Sequence, residues 1–455
     1  MLDLKVENGT LVIPGLGLVR AAVGVKDGKV VAIADESVLA GATRAVDARG
    51  KFVMPGVFEP HAHKGFFAGF EAEMRSETQS ALAGGITTIG CFLGGTDSYL
   101  PTFAETVSAA ERNASTDFVF HLVVGSRTQM AEIPQYAEQL GITSFKFYKF
   151  YMCGLPGLIP HVDDAFLFEG FCKVAELGRS GIACVHAENA AMVDAATAYI
   201  QQIKPTGNLV DWADTHPPAA EEEAIIRASF LAREAGVRLY IVHLSTAAAA
   251  RRLRQIRQEI KNVFVETTSA YLSVTKHWQG GLLAKMSPPL RDTQDVEELW
   301  HAVEDGVVDS IGTDDVAMPR SFKGLDKGIW GAFPGYPLWG AHLPVLLHEG
   351  YHKRGVDLLT LVEKITRRPA ELFGIYPKKG TIAIGGDADL VVVDLNREQE
   401  VKAANLHSFA DWSLYEGKLL RGWPVMTIKG GVIAVENNEI KVTPGAGKHL
   451  RRAVG

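Results

Sequence analysis

Fold class is indicated most directly by the segment Ile182-Ala183-Cys184-Val185-His186-Ala187-Glu188-Asn189. Its first half is a short apolar run, which is typical of a strand buried on both faces of a parallel sheet. Its second half is polar and begins where such a strand would end. In barrels built from parallel strands, ligands and catalytic groups lie at the carboxyl ends of the strands. The segment therefore predicts a buried strand with a functional side chain, His186, at its end.

Similar apolar runs recur along the middle of the chain and give eight candidate strands: 52–58, 86–92, 117–124, 142–148, 182–186, 238–243, 263–267 and 308–314. Helical patterns lie between most of them, for instance at 73–83, 221–234 and 247–261. Eight buried strands that alternate with helices predict a (β/α)8 TIM-like barrel. An open doubly wound sheet is the alternative, but no strand is followed by the glycine-rich nucleotide loops of such sheets.

The two ends of the chain have a different pattern. Asn8-Gly9 and Asp27-Gly28 favour tight hairpin turns, because both dipeptides accept positive φ. The apolar run 388–393 and the short runs around Gly430-Gly431 repeat this pattern near the other end. We therefore expect one small β domain built from residues 1–54 and 380–455, and a barrel domain of residues 55–379. Residues 448–455 are expected to form a loosely held tail.

Composition limits the classes of function. The chain has 455 residues, is 47% hydrophobic and carries a net charge of −7, so a large core is expected and a nucleic-acid partner is not. No apolar run reaches the roughly 18 residues of a membrane span, and the first residues do not resemble a signal peptide. The four cysteines show no paired spacing. These features predict a reduced cytoplasmic protein with no membrane partner.

Metal ligands are predicted at the strand ends. His61 and His63 are two residues apart on an extended segment, so their side chains point the same way and can share one ion. One strand-end histidine is more often an ordinary buried group than a ligand, and an H-x-H pair alone is common. Four histidines and an aspartate at one barrel mouth are hard to obtain by chance. The set is His61, His63, His186, His243 and Asp314.

Lys146 indicates whether the site holds one metal ion or two. It lies within the apolar run 142–150, where burial should lower the pKa of its amine. A neutral amine can add carbon dioxide and become an anionic carbamate, which has two oxygen atoms and can bridge two metal ions. The alternative is a structural lysine that pairs with a carboxylate of the barrel. Lys149 would face the opposite side of the strand.

With these residues assembled, the chain resembles the amidohydrolase superfamily, and within it the hydantoinase/dihydropyrimidinase/allantoinase branch of cyclic amidohydrolases. The resemblance covers nearly the whole chain and implies a (β/α)8 barrel with a terminal β-sandwich domain. It implies an enzyme that opens a cyclic amide or imide by hydrolysis of a C–N bond, through a hydroxide that bridges two metals. The strings that carry it are KFVMPG (51–56), AGGITT (83–88), GITSFK (141–146), VHAEN (185–189), SPPLR (287–291), PAELFG (369–374) and KGTIAIGGDADL (379–390).

The resemblance also implies roles for single residues. One metal would be held by His61, His63 and Asp314, and the other by His186 and His243. Carboxylated Lys146 would bridge the two ions, and Asp314 would carry the proton to the departing nitrogen. Tyr151 matches the tyrosine that hydrogen-bonds the substrate oxyanion, and Ser287 matches a contact to the ring amide. Zinc is the first expectation for both ions, with Mn, Co or Fe as alternatives.

Three departures from the family pattern concern the surroundings of the metals. Glu59 and Asp315 stand where the family usually has Asp and His, and residues 331–338 match its substrate loop poorly. We therefore expect an intact metal core, an altered substrate range and a small cyclic amide as substrate. Dihydroorotase is disfavoured, because Gly65 stands where that enzyme needs an arginine. The family resemblance further implies a homo-oligomer, a dimer or a tetramer.

Other functions stay open at this point. An allantoinase is one alternative, a metal hydrolase that acts on another cyclic or a linear amide is a second, and a catalytically inactive dihydropyrimidinase-like scaffold is a third. A single-metal deaminase is disfavoured because it has no use for a bridging lysine. A group of aromatic residues is expected over the barrel mouth, either as packing or as a pocket for an apolar substituent: Phe66, Phe67, Trp330, Phe333, Tyr336 and Trp339.

Overall fold

The computed structural model describes residues 1–39, 41–148 and 161–455. Seven strands precede the barrel: β1 (Leu2–Glu7), β2 (Thr10–Ile13), β3 (Gly17–Arg20), β4 (Ala22–Lys26), β5 (Lys29–Ala34), β6 (Ala42–Asp47) and β7 (Phe52–Pro55). Eight barrel strands follow: β8 (Val57–His63), β9 (Ile86–Leu93), β10 (Asp117–Val123), β11 (Ser144–Tyr148), β12 (Ile182–His186), β13 (Arg238–Ile241), β14 (Val263–Thr268) and β15 (Ser310–Gly312). Four more complete the described strands: β16 (Leu390–Glu400), β17 (Leu419–Lys429), β18 (Val432–Glu436) and β19 (Glu439–Ile440).

Helices cover the outside of the barrel strands. The longer ones are Phe70–Ala83, Phe103–Asn113, Asp164–Ala175, Ala190–Ile203, Pro218–Ala235, Ala247–Glu259, Thr293–Glu304 and Leu358–Ile365. Shorter α-helical segments are Arg127–Ala131, Ile133–Gln135, Leu209–Asp214, Gly328–Gly331, His342–Leu346 and Arg367–Leu372. Single turns of 3-10 or π geometry are Tyr136–Leu140, Gly178–Ser180, Gly281–Ala284, Arg320–Phe322, Leu325–Lys327, Trp339–Ala341, Leu347–His352 and Ala403–Asn405.

The eight barrel strands are parallel and hydrogen-bonded in sequence order from β8 to β15. Parallel order places every carboxyl strand end at one mouth, which is where functional groups of such barrels lie. The predicted (β/α)8 barrel is thereby confirmed.

The β domain consists of two packed sheets, with strand orders β5-β4-β1-β6 and β19-β18-β17-β16-β7-β2-β3. Its core mixes residues from both ends of the chain, for example Val6, Val25, Val392 and Ile428. A sandwich built from both ends, as predicted, is present. The boundaries at 54/55 and 379/380 stay a prediction.

The prediction of one strand over residues 52–58 is wrong. The run is divided at Gly56, so that β7 pairs with β16 in the outer sheet while β8 opens the barrel. Gly56 donates its N–H to the carbonyl of Asp389, and a Cβ at this position would lie 2.2 Å from Oγ1 of Thr87. Both strands are buried and apolar at this point, so hydrophobicity alone does not mark the break.

The expectation of a loose tail at 448–455 is also wrong for its first half. Phe118 donates its N–H to the carbonyl of Lys448 and accepts from the N–H of Leu450, at 3.0 and 2.8 Å. Arg452 is buried, and its guanidinium donates to Oγ of Ser144 at 2.7 Å. The buried Leu450 side chain and these hydrogen bonds fix the segment against the amino end of the barrel.

Among the residues described, we find no helix with the length and apolar character that crossing a membrane requires.

Candidate metal centre

The predicted metal ligands come together at the carboxyl mouth of the barrel. His61 and His63 are among the last residues of β8, Lys146 is on β11, and His186 ends β12. His243 and Asp314 follow β13 and β15 by two residues. Together with Ser287 they line one pocket of about 590 Å³. Tyr151, the remaining predicted site residue, lies outside the described residues, so its role stays a prediction.

Three of these side chains form a compact set of donors. The Nε2 atoms of His61 and His63 both lie 3.1 Å from Oδ1 of Asp314. One ligand atom from each residue lies within 4.8 Å of the other two. Two imidazole nitrogens and a carboxylate oxygen are ligands that zinc and similar divalent ions accept. The set can hold one such ion.

His186 and His243 form a second pair beside this set. Their ring centroids are 4.5 Å apart, and the His243 ring lies 5.6 Å from that of His61. Nδ1 of His243 is buried and makes no hydrogen bond to any described residue. Nε2 of His186 lies 2.8 Å from Oε2 of Glu188, which fixes the orientation of the ring.

The backbone is strained at two of these positions. His243 has φ of 45° and Asp314 has φ of 54°, in the left-handed region that non-glycine residues rarely occupy. Both follow the end of a barrel strand. Strained backbone of this kind clusters at functional sites, where the surrounding structure holds the residue in place.

Lys146 is fully buried, and its Nζ has no hydrogen-bond partner in the part of the chain that the structure describes. The amine lies 4.7 Å from the ring centre of Phe92 and 4.9 Å from that of Tyr148. Burial lowers its pKa to about 8. Among the described residues no carboxylate is within ion-pair distance of the amine, so the structural alternative of a buried ion pair has no support there.

Glu266 was missed by the sequence reasoning. It lies on β14, and its Oε1 and Oε2 are 3.0 and 3.2 Å from Nδ1 of His61. Burial raises the pKa of this carboxyl well above its usual value. The signal that could have found it is a glutamate at the carboxyl end of the apolar run Val263–Val265, although its partner is 205 residues away.

Tyr148 and six apolar residues form the rest of the described pocket wall: Phe66, Phe67, Met286, Val316, Phe333 and Pro334. The aromatic residues predicted over the mouth thus divide into two groups. Phe66, Phe67 and Phe333 face the pocket, whereas Tyr336 and Trp339 are buried elsewhere. The indole of Trp330 donates to the carbonyl of Pro205 at 2.9 Å.

The loop that carries Phe66 and Phe67 is held by Glu73. The buried carboxylate of Glu73 accepts the N–H groups of Gly65, Phe67 and Ala68 at 2.6, 2.7 and 2.9 Å. Glu73 lies in the first turn of the helix Phe70–Ala83. One side chain therefore fixes the backbone of the phenylalanine loop.

A second set of hydrogen bonds holds the loop of Phe333, whose ring centre lies 5.9 Å from that of Phe67. Nζ of buried Lys323 donates to the carbonyl of Lys285 at 3.1 Å and also to that of Gly335. The N–H of Gly335 donates to the same Lys285 carbonyl at 2.9 Å. These bonds join the segment before Ser287 to the loop 331–338, which supplies Phe333 and Pro334 to the pocket.

Comparison with known proteins extends this description. The sequence pattern described as "Amidohydrolase family" matches residues 52–434. L-hydantoinase of Paenarthrobacter aurescens is 33% identical, over 99% of this chain and 98% of its own length. Allantoinase of Solibacter usitatus is 33% identical, over 99% of this chain and 97% of its own length. The crystal structure of dihydropyrimidinase from Brevibacillus agri NCHU1002 superposes with a TM-score of 0.92 at 29% identity, and the match covers 100% of this chain and 99% of that one.

The fold and the ligand cluster define a barrel hydrolase of the kind that uses divalent metal ions. The chain belongs to the amidohydrolase family, in its cyclic amidohydrolase branch.

Proposed function

We propose that this enzyme hydrolyses a ring C–N bond of a cyclic amide or imide, of the hydantoin or dihydropyrimidine type. The single observation that carries the proposal is the convergence of His61, His63 and Asp314 within 4.8 Å of one another at the barrel mouth. Whole-length similarity to an L-hydantoinase and to a dihydropyrimidinase structure supports the substrate class.

The residues present fit two divalent ions. His61, His63 and Asp314 would hold one, and His186 and His243 the other. Lys146 lines the same pocket, and carboxylation of its amine would supply a further anionic ligand. The amine suits that reaction, because it is buried, has no hydrogen-bond partner among the described residues and has a pKa of about 8. Bound zinc, or alternatively Mn, Co or Fe, would polarise the substrate carbonyl and lower the pKa of a water molecule.

Asp314 is proposed as the proton carrier. Burial acts to raise the pKa of its carboxyl, but His61 and the hydrogen bond to His63 hold it well below the usual value, so the group is ionised and has free oxygen lone pairs for a proton. It takes a proton from the attacking water and delivers it to the departing ring nitrogen, which would otherwise be a poor leaving group.

Two further residues are proposed to bind the substrate. Ser287 lines the pocket with a buried hydroxyl that makes no hydrogen bond within residues 1–39, 41–148 and 161–455, so it can bind the ring amide. Tyr151, outside the described residues, is proposed to donate to the oxyanion that forms as the carbonyl becomes tetrahedral.

The pocket wall favours a ring with an apolar substituent over allantoin. A ureido group against Phe66, Phe67 and Phe333 would lose its hydrogen bonds to water without gaining replacements from these side chains. Allantoin remains the second candidate, because an allantoinase shares 33% identity over nearly the whole chain. All predicted metal ligands lie at the barrel mouth, which argues against a catalytically inactive scaffold.

The test is metal analysis together with a substrate panel. Purified enzyme should contain up to two divalent ions per chain. It should hydrolyse hydantoins with apolar substituents faster than allantoin, dihydrouracil, cyclic imides without substituents or linear N-acyl amino acids. Full activity after removal of all divalent ions, or activity restricted to linear amides, would contradict the proposal.

We also propose a cytoplasmic homo-oligomer, a dimer or tetramer, without nucleic-acid or membrane partners. The net charge of −7 and the unpaired cysteine spacing support the location. Exposed apolar side chains on neighbouring helices support contact between subunits: Tyr199, Ile203, Ile226 and Phe230. Light scattering coupled to gel filtration would measure the subunit number, and a monomer at micromolar concentration would contradict this part.

A further inference from the structure

The barrel closes where its first and last strands meet, and this seam differs from the other strand pairs. Between β8 and β15 the described pairing is an isolated bridge between Ala62 and Asp315. His63 donates its N–H to the carbonyl of Asp315 at 3.0 Å, and Asp315 donates its own to the carbonyl of His61 at 3.3 Å. The same strand ends carry His61, His63 and Asp314. The spacing of one proposed metal site therefore depends on how this short seam is held.

Side chains complete the seam. Nζ of Lys64 lies 2.5 Å from Oδ2 of Asp315, and both side chains are buried. Oδ1 of Asp315 accepts the N–H of Leu338 at 2.7 Å, and the Lys64 amine lies 4.0 Å from the ring centre of Trp339. The ion pair thus joins the residue after His63 to the residue after Asp314.

Glu59 also connects the two strands at this seam, two residues before His61. Its Oε1 accepts the N–H of His61 and the N–H of Thr313, both at 2.9 Å, and so bridges the two strands. Its Oε2 accepts from the indole of Trp339 at 3.0 Å. Among the described residues that line the pocket, neither Glu59 nor Asp315 is present. The two departures from the family pattern are therefore seam residues and do not reach the substrate.

We propose that the Lys64–Asp315 ion pair is a positioning device that sets the distance between the His61–His63 pair and Asp314 for metal binding. The inference rests on the proposed function, in that these three residues are taken as ligands. A buried ion pair is a weak source of stability, because desolvation offsets the attraction between its charges. The ion pair does fix the distance and orientation of Lys64 and Asp315 relative to each other. Two apolar side chains would not, because their contacts have no preferred direction.

The decisive variant is the double substitution Lys64→Met with Asp315→Leu, which replaces the pair by apolar side chains. We expect the metal-free variant to unfold close to the wild-type temperature. We expect its zinc affinity, measured by competition with a chromophoric chelator, to fall by about tenfold or more, the usual effect of removing a group that orients metal ligands. The absorption spectrum of the cobalt-loaded variant should change in shape, which a purely structural role would not cause.

A matched control is Lys51→Met with Asp394→Leu. This partly buried pair, 2.9 Å apart, lies between β7 and β16 in the outer sheet, and zinc affinity should stay at the wild-type value. If the double variant Lys64→Met with Asp315→Leu does not fold, the single variant Lys64→Gln is measured instead. Its amide can still donate to Asp315, and its zinc affinity should fall at least about threefold.

Wild-type zinc affinity and an unchanged cobalt spectrum in the folded seam variant would overturn this inference and leave the proposed function intact. A wild-type enzyme that takes up no divalent ion would overturn the proposed function itself, and this inference with it.

Discussion

Nδ1 of His61 lies 3.0 Å from Oε1 of Glu266, and both side chains are fully buried. A carboxylate at this distance favours the proton on Nδ1 and leaves Nε2 as the basic nitrogen, which faces Asp314. Metal-binding histidines are commonly oriented in this way. A glutamate outside the pocket thus determines which ring nitrogen of His61 is available as a ligand.

Replacing Glu266 should therefore weaken metal binding without removing a ligand. Glu266→Gln keeps one oxygen acceptor for Nδ1 but replaces the second oxygen by an amide NH2 group that can only donate, and we expect zinc affinity to fall by about tenfold. Chelator competition measures the affinity. Glu298→Gln, an exchange on the helix Thr293–Glu304 outside the pocket, is the control. Equal affinity in wild type and Glu266→Gln would show that the carboxyl group of Glu266 has no influence on His61 as a ligand.

Asp314→Asn should remove most turnover. The amide cannot accept and return a proton, and positioned acid–base groups contribute about 100- to 10,000-fold to rate. We expect kcat to fall at least about 100-fold, with metal content measured in parallel to separate loss of the base from loss of the ion. Asp326→Asn, at an exposed loop position, should behave as wild type. Near-normal kcat in a metal-loaded Asp314→Asn enzyme would rule out the assigned role.

Reactivation of metal-free enzyme should depend on carbon dioxide and on pH. Only the neutral amine of Lys146 can add CO₂, and burial lowers its pKa from 10.5 to about 8. At constant dissolved CO₂, the rate of reactivation with zinc should rise from pH 7 and level off above about 8. The rate of reactivation is measured by the return of activity, and carbamate formation by its signal in ¹³C NMR. Lys146→Met should give neither, and reactivation at full rate in CO₂-free buffer would contradict carboxylation.

Glu73 is expected to control the preference for bulky substrates. Glu73→Ala leaves the N–H groups of Gly65, Phe67 and Ala68 without their acceptor, so the phenylalanine loop should lose its fixed position. KM for hydantoins with large apolar substituents should rise about tenfold, while kcat and KM for unsubstituted hydantoin change less than about twofold. Glu71→Ala, on the same helical turn, is the control. An equal effect on both substrates would indicate general damage to the site.

Stability should fall on mild acidification, partly because of His342. Burial lowers the pKa of this histidine from 6.5 to about 3, so between these values the unfolded chain binds the proton and the folded chain does not. The free energy of unfolding contributed by this residue is retained above pH 6.5 and lost by up to about 1.4 kcal/mol per pH unit below it. Urea unfolding at pH 7, 6 and 5 should show a shallower decline for His342→Gln than for wild type. Parallel declines would show that His342 does not contribute.

The barrel and the strand-end residues that meet at its mouth could be predicted because both depend on local sequence. A buried parallel strand is an uninterrupted apolar run, and its functional end follows directly, as in Ile182–His186. Once the strands are assigned, topology brings their ends together. Histidine, lysine and aspartate at the strand ends could therefore be recognised as candidate metal ligands without any measured distance.

Residues that act through partners far along the chain could not be predicted in this way. Glu266 lies 205 positions from His61, and Asp315 lies 251 positions from Lys64. In sequence, Glu59 and Asp315 were visible only as departures from a family pattern. The ion pair and the bridging carboxylate that explain them exist only after the barrel has closed.

Gly56 alone connects β7 of the outer sheet to β8 of the barrel. Because His61 and His63 lie on β8, any rotation of the β domain against the barrel would displace these two histidines directly. The pocket is lined by loop residues of the mouth, such as Phe66 and Phe67 on the loop that Glu73 holds. Efforts to speed up or redirect this enzyme should randomise those loops and leave the interdomain joint untouched.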